Sequence, residues 1–217
     1  MKQKTIFIVT AVLLLLVFVG MAVRYDMKRN EEGSRAALAN RAVLETMHSP
    51  SIGNPNARVV IVEFFDPACE TCREFYPLVK RLKEQHPDKI RIIARYAPFH
   101  AGSDQVVAIL EAARKQGRFW EALEVTFKGQ DRWAANHQAN VAALWPVLAA
   151  AGFDIQRLQA DSNSPEIYAT IQRDIADASR MGVTATPEFF VNGKALPSFG
   201  FDQLKTAVED ALKATDH

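Results

Sequence analysis

The sequence has very few cysteines, since Cys69 and Cys72 are the only two among 217 residues. This scarcity excludes the small disulfide-rich scaffolds, in which several bridges compensate for a small hydrophobic core. Apolar residues make up 48% of the chain, so it can bury an ordinary core without bridges. The open question is what one Cys-x-x-Cys pair does.

The sequence also lacks an excess of either charge, with 26 Lys and Arg against 25 Asp and Glu. No basic run or basic-aromatic cluster is present, so we expect no nucleic-acid partner. No internal repeat or low-complexity tract appears. Without its N-terminal region the chain has about 170 residues, which fits one globular domain with room for an insertion.

Long apolar runs are missing except near the N-terminus, where residues 5–23 carry no charge. At 1.5 Å per residue this stretch spans roughly the hydrocarbon thickness of a bilayer. We expect residues 1–23 to form an uncleaved membrane anchor, or a signal segment cleaved after Ala22. Residues 24–50 are predicted to be a polar, partly helical linker that precedes a domain at 51–217, and we place that domain outside the cytoplasm.

The domain begins with a β-α-β pattern. Arg58–Phe65 and Ile90–Tyr96 are continuous β-branched and aromatic runs, typical of strands buried on both faces. A helix over Arg73–Gln85, interrupted by Pro77, separates them. The two strands should therefore be parallel, with a right-handed crossover.

Helical patterns follow for about 80 residues, and we expect them to form an insertion at about 103–182. Asn192-Gly193 then predicts a type I′ hairpin between Glu188–Val191 and Lys194–Leu196. A last helix is predicted over Gln203–Lys213, with Asp202 as its N-cap. The fold class is α/β.

The cysteine pair lies at the junction between the first strand and the first helix. Unpaired N–H groups and the dipole of a helix N-terminus favour an anion, so the Cys69 thiol should ionise more easily than a free thiol. Cys72 follows one turn later on the same face. Such a pair can close a disulfide whose Cys69 sulfur a partner thiolate can attack.

Two other uses of the pair are possible on the residues alone. A zinc site would need two more ligands from the five histidines, none of which form a His-x3-5-His pair. These histidines are His48, His86, His100, His137 and His217. Two inert buried thiols are the remaining alternative.

The stretches "VVIVEFFDPACETC" and "GVTATPEFFVNGKAL" flank the helical block and together resemble the DsbA-type thiol-disulfide oxidoreductases of the thioredoxin superfamily. The resemblance covers about residues 51–213. It implies a thioredoxin fold with a helical insertion. It also implies a bacterial protein of the inner membrane, with its catalytic domain in the periplasm or outside the cell.

The resemblance also assigns roles to single residues. It implies that Cys69 is the attacking cysteine and Cys72 the resolving one. Pro187 matches a cis-proline, which leaves the Thr186 backbone free to pair with an extended substrate. Glu63 matches a buried acidic residue that exchanges a proton with Cys72.

The resemblance leaves the direction of exchange open. Strongly oxidising members carry Pro-His between the cysteines, whereas Glu70 and Thr71 stand here and disfavour a thiolate. Thr186 is also more similar to the reductase and isomerase branch. A reductase or isomerase therefore remains an alternative, as does a non-redox chaperone or metal-binding module. We expect no metal or organic cofactor, and as partners reduced or misoxidised exported proteins and a redox protein that recycles the disulfide.

Overall fold

The computed structural model of the chain describes residues 2–215, and describes side chains for residues 13–214. The chain divides into two compact units, of which one ends at Ala39 and the other begins at Asn40. The second unit contains the sheet, both cysteines and the helical insertion.

The second unit is built on a five-stranded sheet with strand order β1-β3-β2-β6-β7. β2 and β3 are parallel and the other neighbouring pairs are antiparallel. A short hairpin, β4-β5, stands apart. The strands are β1 Ser51–Gly53, β2 Val59–Phe65, β3 Ile90–Tyr96, β4 Ala134–Ala135, β5 Gln138–Ala139, β6 Glu188–Val191 and β7 Lys194–Ala195.

Helices cover both faces of the sheet and form the insertion between β3 and β6. Their bounds are α1 Lys2–Leu44, α2 Glu70–Gln85, α3 Ser103–Lys115, α4 Phe119–Lys128, α5 Gln130–Trp133, α6 Val141–Ala150, α7 Ile155–Ser162, α8 Pro165–Arg180 and α9 Phe201–Thr215.

The alternation of β2 divides its side chains between two hydrophobic clusters. Val59 and Ile61 face α2 and α9, where Phe75 and Leu204 are buried. The alternate residues of β2, including Val62, pack on the other face of the sheet with residues of α8. Every residue of β2 is buried, which explains its continuous apolar run and makes Glu63, the one charged residue in it, conspicuous.

The β-α-β unit and the final hairpin are confirmed, but two helix predictions are wrong. α2 is not interrupted at Pro77 and begins at Glu70 instead of Arg73, so it starts immediately after Cys69. α9 begins at Phe201, which places Asp202 inside the first turn and not at the N-cap. A carboxylate there still stabilises the positive end of the helix dipole.

The N-terminal helix α1 runs over Lys2–Leu44 without a break. Of the predicted anchor at 5–23, the side chains of residues 5–12 lie outside the described residues. Within the part of the chain that the structure describes, no helix combines the length and the apolar character that a membrane span needs.

Candidate active site

The two cysteines lie at the start of α2, on the edge of the sheet where β2 ends. Cys69 is the N-cap residue and Cys72 lies in the first turn. Both are free thiols. Cys69 is 5% exposed and Cys72 is fully buried. A thiolate from outside can therefore reach only Cys69.

The segment before β6 lies directly against Cys69. The Thr186–Pro187 peptide bond is cis, as the resemblance implies, and Pro187 is buried. Cys69 Sγ lies 3.3 Å from the carbonyl oxygen of Thr186. Antiparallel pairing of β6 with β2 brings these two chain segments together, although 117 residues separate them.

The surroundings of Cys69 favour its thiolate. A hydrogen bond from the Cys72 thiol lowers the pKa of Cys69 to about 5, and the Thr186 side chain and the backbone N–H groups of Cys72 and Thr71 act in the same direction. Burial opposes the shift. The backbone donors belong to the first turn of α2, so the helix N-terminus does stabilise the anion as the sequence predicts.

Cys72 and Glu63 behave in the opposite way. Burial raises the pKa of Cys72 well above its ordinary value, and the hydrogen bond to Cys69 and the charge of Glu63 add to the effect. Burial, and then the charge on Cys69, raises the pKa of Glu63 to about 8. At neutral pH Glu63 is thus mostly a neutral carboxylic acid that can donate a proton.

Glu63 borders a cavity of about 410 Å³ between the sheet, α2 and α4. Its sheet neighbours are Ala94 on β3 and Phe189 on β6. Apolar side chains, among them Tyr76 and Trp120, form most of the lining of the cavity. Lys80 and Glu124 also line it and form an ion pair at 2.9 Å. The cavity gives a buried carboxyl group a space through which water can approach it.

A buried aspartate holds the loop that precedes Cys69. Asp66 is fully buried and accepts hydrogen bonds from the N–H of Ala68, the N–H of His100 and the hydroxyl of Ser103. Nδ1 of His100 also lies 2.7 Å from Asp66 Oδ2. Asp66 therefore fixes the active-site loop to the loop that follows β3.

The insertion contributes two residues to the site that the sequence did not single out for it. Gln130 of α5 is buried and donates to the carbonyl oxygens of Pro67 (2.8 Å) and Cys69 (3.1 Å). His137, at the tip of the β4-β5 hairpin, places Nδ1 2.8 Å from Oε2 of Glu70. From the sequence, His137 is a candidate only as a metal ligand. Its contact with Glu70 could not be predicted, because it depends on how the insertion folds back against α2.

The zinc site that the sequence leaves open would need ligands besides the two cysteines. Among the residues that the structure describes, no group of three or more His, Cys, Asp or Glu side chains is arranged to hold a metal ion. His217, one of the histidines considered, lies outside the described residues.

A family model described as thioredoxin matches residues 45–210. Among curated proteins, the chain is 32% identical over 175 residues to a Na(+)/H(+) antiporter NhaA of Herminiimonas arsenicoxydans, a match that covers 79% of this chain and 27% of the antiporter. The chain thus spans about a quarter of the length of the antiporters it matches. It is also 29% identical to the probable disulfide bond formation protein D of Bacillus anthracis, covering 75% of this chain and 78% of that protein.

Solved structures agree with this family. A thioredoxin-like oxidoreductase from Silicibacter pomeroyi is 30% identical with a TM-score of 0.69, over 80% of this chain and 97% of the other. The α-DsbA1 protein of Wolbachia pipientis is 20% identical with a TM-score of 0.69, over 81% and 97% of the two chains. At 20% identity, the similarity to the Wolbachia pipientis protein shows a shared fold.

Proposed function

Because the chain belongs to the thioredoxin family and has the DsbA-type fold, we propose that it is a thiol-disulfide oxidoreductase that acts through Cys69 and Cys72. One observation carries the proposal. Cys69 is the accessible member of a cysteine pair at a helix N-terminus, its pKa is lowered to about 5, and its sulfur lies against Thr186.

Disulfide transfer would proceed in two exchanges. A substrate thiolate attacks Cys69 Sγ, the bond between Cys69 and Cys72 breaks, and Cys72 leaves with the electron pair and takes a proton from Glu63. A second substrate thiolate then attacks the substrate sulfur of the mixed disulfide and releases Cys69 as a thiolate. Two electrons pass from two substrate thiols to the cysteine pair, so a redox partner must reoxidise the pair after each turnover.

The proposed direction is oxidation of the substrate. A cysteine whose pKa is about 5 is a thiolate at neutral pH, and a stabilised thiolate stabilises the reduced protein. A protein with a stabilised reduced form donates its disulfide readily. Glu70 and Thr186 had favoured a milder oxidant or a reductase on the sequence, but the surroundings of Cys69 support the oxidising direction.

We place the activity outside the cytoplasm, on reduced or misoxidised exported proteins, with residues 5–23 as a membrane tether. The uncharged run at 5–23 supports the tether, and a redox-active pair is best used where thiols are oxidised. Carbonate extraction of membranes from cells that express the full chain tests this point. Release of the full-length protein into the soluble fraction would refute the tether without affecting the redox proposal.

The test of the redox proposal uses a reduced, unfolded, cysteine-containing protein as substrate. The disulfide form should oxidise it, and Cys69→Ser should abolish the reaction. Cys72→Ser, first charged at Cys69 as a mixed disulfide with glutathione, should exchange the glutathione for the substrate and accumulate a mixed disulfide with it. Full activity of Cys69→Ser would refute the redox function and favour a non-redox chaperone.

Equilibration of the cysteine pair with glutathione tests the direction. An oxidase has the higher reduction potential, because its reduced form is stabilised. At a ratio of reduced to oxidised glutathione that leaves a reductase of the same fold oxidised, an oxidase should be more than half reduced. An isomerase of the known kind would usually be dimeric, so the mass of the protein in solution separates that alternative.

A further inference from the structure

Glu70, the residue immediately after Cys69, has a charge partner from the helical insertion. Its Oε2 atom is buried and accepts no aligned hydrogen bond within the described part of the chain, and it lies 2.8 Å from Nδ1 of His137. An unpaired carboxylate next to a thiolate disfavours that thiolate, since both are negative and share one helix N-terminus. A positive imidazole at 2.8 Å offsets part of this repulsion, and water screens the pair because the side chains of His137 and Glu70 are 64% and 38% exposed.

The hairpin that carries His137 has an uncommon backbone. Asn136 (φ 51°) and His137 (φ 58°) both lie in the left-handed region, and the pairing of Ala135 with Gln138 leaves these two residues as the complete turn. Residues other than glycine adopt this conformation uncommonly, and Asn and His do so more often than most. The turn directs the chain so that His137 reaches the first turn of α2.

The loop after β3 holds the hairpin in place. Ala139 N–H donates to the carbonyl oxygen of Ala101 at 2.9 Å, and Gln138 forms a parallel bridge with Ala101. Gly102 (φ 77°) permits this close approach, because a Cβ atom there would lie 3.1 Å from the carbonyl oxygen of Ala139. The position of His137 is therefore enforced from two sides.

Other ionisable groups near this pair already have partners. The ring of His100 stacks on His137 with centroids 5.0 Å apart, and its Nδ1 is held by Asp66. Arg73 of α2 pairs with Asp131 of α5. Among the described residues, the ion pair that the Glu70 side chain forms is the one with His137.

We propose that His137 is a positioning residue for disulfide exchange, whose imidazolium neutralises Glu70 and so preserves the Cys69 thiolate and the oxidising power of the pair. The segment between the cysteines contains no histidine, and the insertion supplies one. The inference rests on the proposed oxidoreductase function and adds to it a residue that sets the strength of the oxidant.

A double-mutant cycle in the full chain tests the proposal, with Glu70→Gln and His137→Asn as the two changes. Asn tolerates the left-handed conformation, so the hairpin should keep its shape. His137→Asn should shift the equilibrium with glutathione toward the protein disulfide by about two- to fivefold. In the Glu70→Gln background the same substitution should have no effect.

An equal shift in both backgrounds would mean that His137 acts through hairpin packing, and no shift in either would mean that it does not act on the pair. Each result overturns the proposal. If Cys69→Ser abolishes exchange while the cycle shows no coupling, only this inference fails.

Discussion

Cys69 and Cys72 differ in protonation although only two residues separate them. The Cys72 thiol donates a hydrogen bond to Cys69, which stabilises the thiolate of Cys69 and keeps the proton on Cys72. Burial acts on both, but Cys72 is fully buried and has Glu63 beneath it. The proton thus stays on Cys72, while Cys69, the more accessible sulfur, is the one that a substrate thiolate attacks.

Replacing Cys72 should therefore change the acidity of Cys69. In Cys72→Ala the largest cause of the lowered pKa is lost, so the pKa of Cys69 should rise above about 5, and in Cys72→Ser, which keeps a hydroxyl donor, it should rise less. Ultraviolet absorbance of the single remaining thiolate, followed against pH, measures both. An unchanged pKa in Cys72→Ala would show that the helix N-terminus alone stabilises the anion.

Glu63 should make stability fall with rising pH. The pKa of Glu63 is raised from 4.5 to about 8, so its contribution is complete below its unfolded pKa and is lost as the pH rises through about 8. Glu63→Gln cannot ionise and should escape this loss. In the disulfide form Cys69 carries no charge, and burial is the cause of the raised pKa that remains. Measured on that form, the free energy of unfolding of Glu63→Gln, relative to that of the unmodified protein, should rise by on the order of 1 to 4 kcal/mol between about pH 5 and pH 9. Parallel pH profiles would contradict burial as the cause.

At the scale of elements, the short helix α5 and the β4-β5 hairpin connect the insertion to the active site. Gln130 of α5 satisfies two carbonyl oxygens of the loop that carries Cys69. A loop has few backbone partners of its own, so hydrogen bonds from another element decide how firmly it is held. The insertion is thus part of the active-site support.

Gln130→Met keeps the volume of the side chain but removes the donor to the Pro67 carbonyl oxygen and one of the two donors to the Cys69 carbonyl oxygen, which also accepts from the N–H of Arg73. We expect the free energy of unfolding to fall by about 1 to 3 kcal/mol, because buried polar groups lose their partner. Urea unfolding measures the change. Gln105→Met on the exposed face of α3 is the matched control and should have little effect. Equal effects of the two substitutions would mean that Gln130 does not support the loop.

Patterns local in the chain predicted the β-α-β unit and the Asn192-Gly193 turn, whose residues both adopt positive φ values. Contributions of Gln130 and His137 to the site could not be predicted, because they depend on how the insertion packs against α2. β1 could not be predicted, since a strand of three residues carries almost no periodicity. Local patterns thus located the cysteines and the segment before β6, and left out the side chains that come from the insertion.

At the scale of the whole second unit, one buried ion network connects three elements. Arg95 of β3 is fully buried and donates to Asp174 (2.9 Å) and Asp177 (2.6 Å) of α8. It also donates to the carbonyl oxygens of Val43 and Leu44 at the end of α1. Those carbonyls have no partner within their helix, so Arg95 caps the end of α1 while its charge is balanced by α8.

Loss of Asp174 should destabilise this unit far more than loss of Asp177. The Asp174 carboxylate is fully buried and accepts from Arg95, from the backbone N–H of Tyr96 and from His48. The side chain of Asp177 is 24% exposed, and among the described residues its carboxylate accepts only from Arg95. Asp174→Asn leaves a buried guanidinium short of its main counter-charge, and we expect a loss of about 3 to 5 kcal/mol in the free energy of unfolding. Asp177→Asn keeps Asp174 in place and should cost about 1 kcal/mol.

Denaturant unfolding of both variants tests the order of these losses. The glutathione equilibrium of the folded variants should stay unchanged, because the network does not include Cys69. A reversed order of stability would show that the ion pair of Arg95 with Asp177, and not the one with Asp174, is the more important for holding the end of α1, β3 and α8 in contact.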